Sequence, residues 1–115
     1  MTDQANYDGS TVYAGGNKGE NRQKTVAADD FKPNAWGLYQ VHGNAFEWVE
    51  DCWNDNYRNA PKDGAAWTSG DCRLRVLRGG NFLSKATEIR SAARFRYDVD
   101  VRYYANGFRV MRDLQ

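Results

Sequence analysis

Few stretches of this sequence carry the 3.6-residue apolar period of an amphipathic helix, and clusters of Gly, Asn, Asp, Ser and Pro interrupt the chain repeatedly. A chain punctuated in this way builds short strands joined by long loops, with little helix. Residues 1–30, which include YDGS and YAGGNKGEN, hold neither a helical nor an alternating period and form an ordered-loop segment. The aromatic-rich alternation in VHGNAFEWVEDCW predicts a strand entered through a tight turn at Gly43–Asn44. It puts Phe46, Trp48 and Glu50 on one face and Ala45, Glu47 and Val49 on the other. The segment NDNYRNAPKDGAAWTSG is nearly all turn formers and makes a long surface excursion. A short strand at Arg73–Leu77 follows, ended by Gly79–Gly80, a pair that suits a turn, a bulge or a close backbone approach. An apolar segment at EIRSAARF and a polar loop at YDVDVRYYAN come next. Alternation of Phe108 and Val110 against Arg109 and Met111 then predicts a half-buried closing strand.

The 115 residues suit a single domain over 1–115. With 41% hydrophobic and 14% aromatic residues the chain is too rich in core-forming rings to be disordered. A net charge of +1 lacks the cationic excess needed for sequence-independent phosphate neutralisation, so a nucleic-acid partner is disfavoured. No apolar run approaches a membrane span, and the N-terminus has neither a basic n-region nor an apolar h-region. One histidine and two cysteines exclude a His-based facial triad, a three-histidine zinc site or a four-thiolate site built from this chain alone.

Several residue groups have two readings. Asp3, Asn6, Asp8, Asn17, Glu20 and Asn21 supply hard oxygens of the kind calcium uses, or simply solvate a loop. Cys52 and Cys72 frame the long excursion either as a disulfide, worth about 3 kcal/mol in the chain-entropy model, or as two reduced, packed thiols. A disulfide would argue for an exported parent protein. Arg90, Arg94, Arg96, Tyr97, Arg102, Tyr103 and Tyr104 are of the types that recognition surfaces favour; the arginines could equally pair internally with Asp98, Asp100 and Asp113. Trp36, Trp48, Trp53 and Phe108 read as core, and His42 as a turn residue rather than a catalyst.

Four blocks in register, NAWGLYQVHGNAFEWVEDCW, RVLRGGNF, RSAARFRY and NGFRVMR, resemble the C-terminal part of the formylglycine-generating enzyme (sulfatase-modifying factor) domain. The resemblance implies an irregular α+β fold related to C-type lectins, with short antiparallel strands, long loops, little helix and a C-terminal strand returning to the core. The family domain is longer at its N-terminus, which implies a late fragment or a minimised member. Its incomplete core would leave apolar surface exposed, with marginal stability, self-association or a missing N-terminal segment as consequences.

Matched residue by residue, the resemblance implies two structural calcium sites. One would use the Asn6 side chain, the Tyr7 carbonyl, Glu20 and the Arg22 carbonyl; the other Gln40, the carbonyls of Gly43 and Ala45, and Glu47. The oxidases of the family bind copper through two cysteines between the RGG and GFR motifs. That interval has no cysteine here, and Ser84 stands near the first thiol position, so copper is not expected. Iron-dependent sulfoxide synthases of the family take their histidines from another domain. The region after RGG lines the substrate-peptide groove in the oxidases, which makes Ser84 and the Arg/Tyr cluster candidates for a protein or peptide ligand. Three functions are thereby expected: a calcium-stabilised binding or accessory module, a piece of an active cysteine oxidoreductase, or a ligand-display protein of a diversity-generating retroelement.

Overall fold

Gly43 and Asn44 both take positive φ, 78° and 68°, and the turn they make organises the chain around it. A side chain at Gly43 would collide with the backbone carbonyl of Asn6. The space it leaves lets Asn44 N–H donate to Asn6 C=O (2.7 Å) while Gly43 N–H donates to Gly79 C=O (2.7 Å). The Asn44 carboxamide then accepts from Val26 N–H (2.9 Å) and Asn6 Nδ2 (3.1 Å) and donates to the Val26 carbonyl (3.2 Å). Two asparagines thus supply partners that the irregular 1–30 segment cannot find in regular structure.

In this computed structural model, which describes residues 1–112, four strands follow: β1 Phe46–Trp53, β2 Asp71–Arg78, β3 Phe95–Asp98 and β4 Asn106–Phe108. They form one sheet in the order β3-β2-β1-β4. β1 pairs antiparallel with β2 through Glu47–Arg78 and Trp48–Leu77, and β2 pairs antiparallel with β3 from Leu74–Asp98 to Leu77–Phe95. Irregular register at Cys52 lets β1 bend as it approaches the excursion. Phe46, Cys52, Val76, Leu77, Phe82 and Ala105 are the buried apolar side chains among the described residues, so the core lies against the middle of β1 and β2.

Several expectations are corrected. No helix occurs among the described residues, so α+β gives way to an all-β sheet with much loop. Consequently no helix there is long and apolar enough to cross a membrane. EIRSAARF, the apolar segment, closes only single turns, with Glu88 N–H on Lys85 C=O and Ala93 N–H on Arg90 C=O, too short to propagate. β4 runs parallel to β1, not antiparallel, through Phe46–Asn106 to Trp48–Phe108. That strand stops at Phe108, which is 78% exposed, and Val110 and Met111 beyond it are exposed too, so the half-buried closing strand does not form. β4 is an edge strand of the sheet. Trp36 is 86% exposed rather than core. The expected alternation in β1 is blurred because Glu47, Trp48 and Val49 are all half-buried. Asp113 lies outside the described residues.

Candidate functional site

Cys52 ends the buried part of β1 and is bonded to Cys72 at the start of β2. The excursion between them is further held by Cys52 N–H on Trp67 C=O (2.8 Å), Trp67 N–H on Asp51 Oδ1 (2.8 Å) and Asn54 Nδ2 on Ser69 C=O (2.8 Å). These ties fix its first residues, Trp53 to Tyr57, as one wall of a groove of about 890 Å³. The opposite wall comes from the segment after Gly80, including Ser84, Thr87, Arg90 and Arg94.

Its floor is a chain of rings. Phe46 stacks on Phe95 (centroids 5.3 Å apart), Phe95 meets Tyr97 edge-on (5.3 Å), Tyr97 meets Tyr103 (5.9 Å), and Tyr103 touches Tyr104 (4.6 Å), which leans on Phe82 (5.9 Å). The neighbouring Tyr104 hydroxyl pushes the Tyr103 hydroxyl above its ordinary pKa. Arginines dress the wall. The guanidinium of Arg94 lies 4.6 Å from the Trp53 ring centre and 4.3 Å from that of Tyr57, and Arg96 lies 4.5 Å from Trp53. Arg78 holds the wall's frame, donating to Ser91 and Ala93 carbonyls and to the Tyr57 hydroxyl. The surface is thus aromatic, with hydrogen-bonding edges, suited to an extended polypeptide segment or a small amphipathic ligand.

Of the residues expected to line a groove, Ser84, Arg90, Arg94, Tyr97 and Tyr103 do so together. Arg96 flanks it through Trp53, and Tyr104 extends the ring chain, whereas Arg102 does not line it. Ser84 is buried: its hydroxyl accepts from Asn81 N–H (3.1 Å) and donates to Asn81 Oδ1 (3.3 Å). The internal-pairing alternative holds only in altered form: Arg96 pairs with Asp55 (3.6 Å), while Asp98 pairs with Arg73 (3.0 Å) from β2. Trp53 and Tyr57 were missed as wall residues. Their signal was position, since both begin a cysteine-framed excursion.

The residues matched to calcium sites meet different fates. Asn6 is fully buried, and both bonds from its Nδ2, to Lys24 C=O (2.8 Å) and Asn44 Oδ1, leave its Oδ1 without a donor. An orphaned amide oxygen is what a hard cation would satisfy. Glu20 is ion-paired with Arg22 (3.0 Å), yet its side chain is 62% exposed, so that pair is weak and displaceable. Tyr7 is half-buried, beside Asn6 in the chain. In this first set the unpartnered Asn6 Oδ1 is the oxygen open to a cation. In the second the acidic member is taken by a guanidinium. Gln40 Oε1 is also buried without a partner, but Arg109 grips Glu47 through Nε (3.2 and 3.1 Å) and Nη2 (2.7 Å). The Glu47 bond in turn raises the Arg109 pKa above its ordinary value. A cation on Glu47 would have to displace a bidentate guanidinium. Among the described residues no three His, Cys, Asp or Glu side chains converge to hold a metal.

His42 lies in a separate recess, its Nδ1 2.6 Å from the Ile89 carbonyl.

Comparison with known proteins places this architecture. The model of the sulfatase-modifying factor enzyme 1-like domain matches residues 2–114. The chain is similar to the formylglycine-generating enzyme of Mus musculus, 34% identical over 95 residues, covering 79% of this chain and 25% of that protein. It is likewise similar to the formylglycine-generating enzyme of Thermomonospora curvata, 32% identical over 103 residues, 77% of this chain and 31% of that protein. Among solved structures, PvdO from Pseudomonas aeruginosa superposes with a TM-score of 0.78 at 35% identity, covering 94% of this chain and 38% of that one. Treponema denticola variable protein 1 superposes with a TM-score of 0.72 at 29% identity, covering 93% and 35%. The chain therefore spans a quarter to a third of the length of these two enzymes. On that match the chain belongs to the sulfatase-modifying factor family typified by formylglycine-generating enzyme.

Proposed function

We propose that this domain is a ligand-binding module of its family, which seats a polypeptide segment in the groove between Trp53–Tyr57 and the Ser84–Tyr97 segment. The observation that carries the reading is the groove itself: a continuous ring floor beside arginines stacked on a disulfide-framed wall. Copper-dependent cysteine oxidation is not part of this proposal. Residues 81–106, between the RGG and GFR motifs, contain no cysteine, and the hydroxyl of Ser84, turned onto Asn81, cannot replace a soft thiolate. A calcium ion at Asn6 would have a structural role, supplying the orphaned Oδ1 with a partner and tying the 1–30 loops to the Gly43–Asn44 turn.

The test is selection of a random peptide library on the whole chain and on a Tyr97→Ser, Tyr103→Ser variant. Peptides retained by the first and lost by the second support the groove. Equal retention by both refutes it. A second reading, display of a diversified ligand surface, is favoured by the likeness to Treponema denticola variable protein 1. Codon-level comparison of residues 81–106 with neighbouring genomic repeats decides it; absence of a near-identical template ends that idea.

A further inference from the structure

We infer that Arg94 is the anion-recognition residue of the groove and that the segment it selects carries a carboxylate; the inference rests on the groove reading above. The guanidinium carbon of Arg94 lies over the rings of both Trp53 and Tyr57, 4.6 and 4.3 Å from their centres. A cation–π contact holds the charge in place and provides no oxygen acceptor for its five N–H donors. Among the described residues, no acceptor lies within hydrogen-bond or ion-pair reach of that guanidinium. The neighbouring arginines are committed elsewhere. Arg78 bonds the Ser91 and Ala93 carbonyls and Tyr57, Arg90 Nε donates to the Thr87 carbonyl (2.8 Å), Arg96 pairs with Asp55, and Arg73 pairs with Asp98.

Arg94 is therefore pre-positioned, with its donors unspent. The bond from Arg78 to the Tyr57 hydroxyl fixes one of the two rings that hold it (3.1 Å), so little side-chain freedom remains to be lost on binding. Charge narrows the partner. Arg90 and Arg94 line the groove with Asp55 and Glu88, and Arg96 on its flank pairs with Asp55, which leaves a small positive excess. Such a set accommodates a single negative charge more readily than the nearly two of a phosphate. A planar carboxylate also matches the guanidinium fork in a bidentate arrangement. The ring floor beside it suits aromatic or aliphatic neighbours of the acidic residue.

The experiment titrates the isotope-labelled whole chain with a blocked pentapeptide, acetyl-Ala-Tyr-Glu-Tyr-Ala-amide, with its Gln counterpart, and with inorganic phosphate, following the Arg94 Nε–H and Trp53 indole resonances by NMR. Binding of the Glu peptide about tenfold tighter than the Gln peptide, with movement of the Arg94 resonance, supports the inference. Arg94→Lys, which keeps the charge and removes the planar fork, should remove most of that tenfold preference, while Lys62→Ala, which removes a positive charge from the exposed excursion, should alter it less than twofold. Equal affinity for both peptides, with the Trp53 indole still perturbed, overturns the role of Arg94 and leaves the groove reading standing. Saturation by phosphate at lower concentration than by the Glu peptide overturns the carboxylate assignment. Absence of any shift with all three probes overturns the inference and the groove reading together. The wild-type Glu-to-Gln ratio needs no variant to fold.

Discussion

Replacing the Cys52–Cys72 pair by Cys52→Ala and Cys72→Ser tests how the groove wall is held. The bridge spans 20 residues of sequence. In the chain-entropy model, closing a loop of about that length removes about 11 cal/mol/K from the unfolded ensemble, or about 3 kcal/mol at 25 °C. Cys52 is almost wholly buried and Cys72 is exposed, so Ala at the first and Ser at the second avoid burying a new hydroxyl. In the folded state the excursion keeps its three hydrogen bonds from Cys52 N–H, Trp67 N–H and Asn54. At roughly 1 kcal/mol each they should retain most of its docking. The expected loss is therefore close to the entropic figure, about 3 kcal/mol, with a rise in the urea m-value because the uncrosslinked denatured state exposes more surface. Urea unfolding of the oxidised protein and the double variant gives both quantities. A loss below about 1 kcal/mol with an unchanged m-value would refute the reasoning, because the unfolded chain would then not be feeling the crosslink.

Three further outcomes follow from the same contacts. Calcium at tenfold its Kd for the Asn6 site adds about 1.4 kcal/mol of stability, and melting in calcium against chelator reads it; Asn6→Ala should abolish the calcium-dependent shift, and a shift retained in that variant contradicts the site. Glu47→Gln releases the Arg109 fork, whose partners are both partly exposed, and should cost about 1 kcal/mol in urea unfolding; coupling near zero in a double-mutant cycle with Arg109→Met would show that the pair contributes nothing. Asp98 accepts from Asp100 N–H and from Arg73, which hold its pKa below the ordinary 3.8. A lowered folded-state pKa stabilises above pH 3.8 and loses that contribution as pH falls through the folded value, so Asp98→Asn should be less stable than the parent at pH 6, by a margin that shrinks as the pH is lowered to 2. A difference that persists undiminished at pH 2 excludes the linkage.

Local signals located the two long strands and the turn before them. β2 extends the expected Arg73–Leu77 by two residues at its start and one at its end, and Gly43–Asn44 is a turn because Gly tolerates positive φ and Asn does so more readily than most residues. Pairing was less legible. Nothing in NGF announces a parallel partner some sixty residues earlier, since three residues of alternation specify a strand and not its neighbour. Trp36 and Phe108 looked like core because ring-rich motifs usually are; their exposure depends on what lies beside them in space. The Arg/Tyr cluster was legible as a recognition surface, but the clamp on Arg94 needed the excursion to fold back over it. The claims of Arg22 on Glu20 and of Arg109 on Glu47 were invisible for the same reason, as each joins residues whose proximity only the fold creates.

The position of a bound ligand distinguishes the ring-floored groove from the recess beside His42. Intermolecular NOEs from a library-selected peptide bound to the labelled chain locate it directly. Contacts to the ring protons of Tyr97, Tyr103 and Trp53 are predicted. Contacts instead to Phe31, Ala86 and Ile89, which line the recess beside His42, would contradict the account.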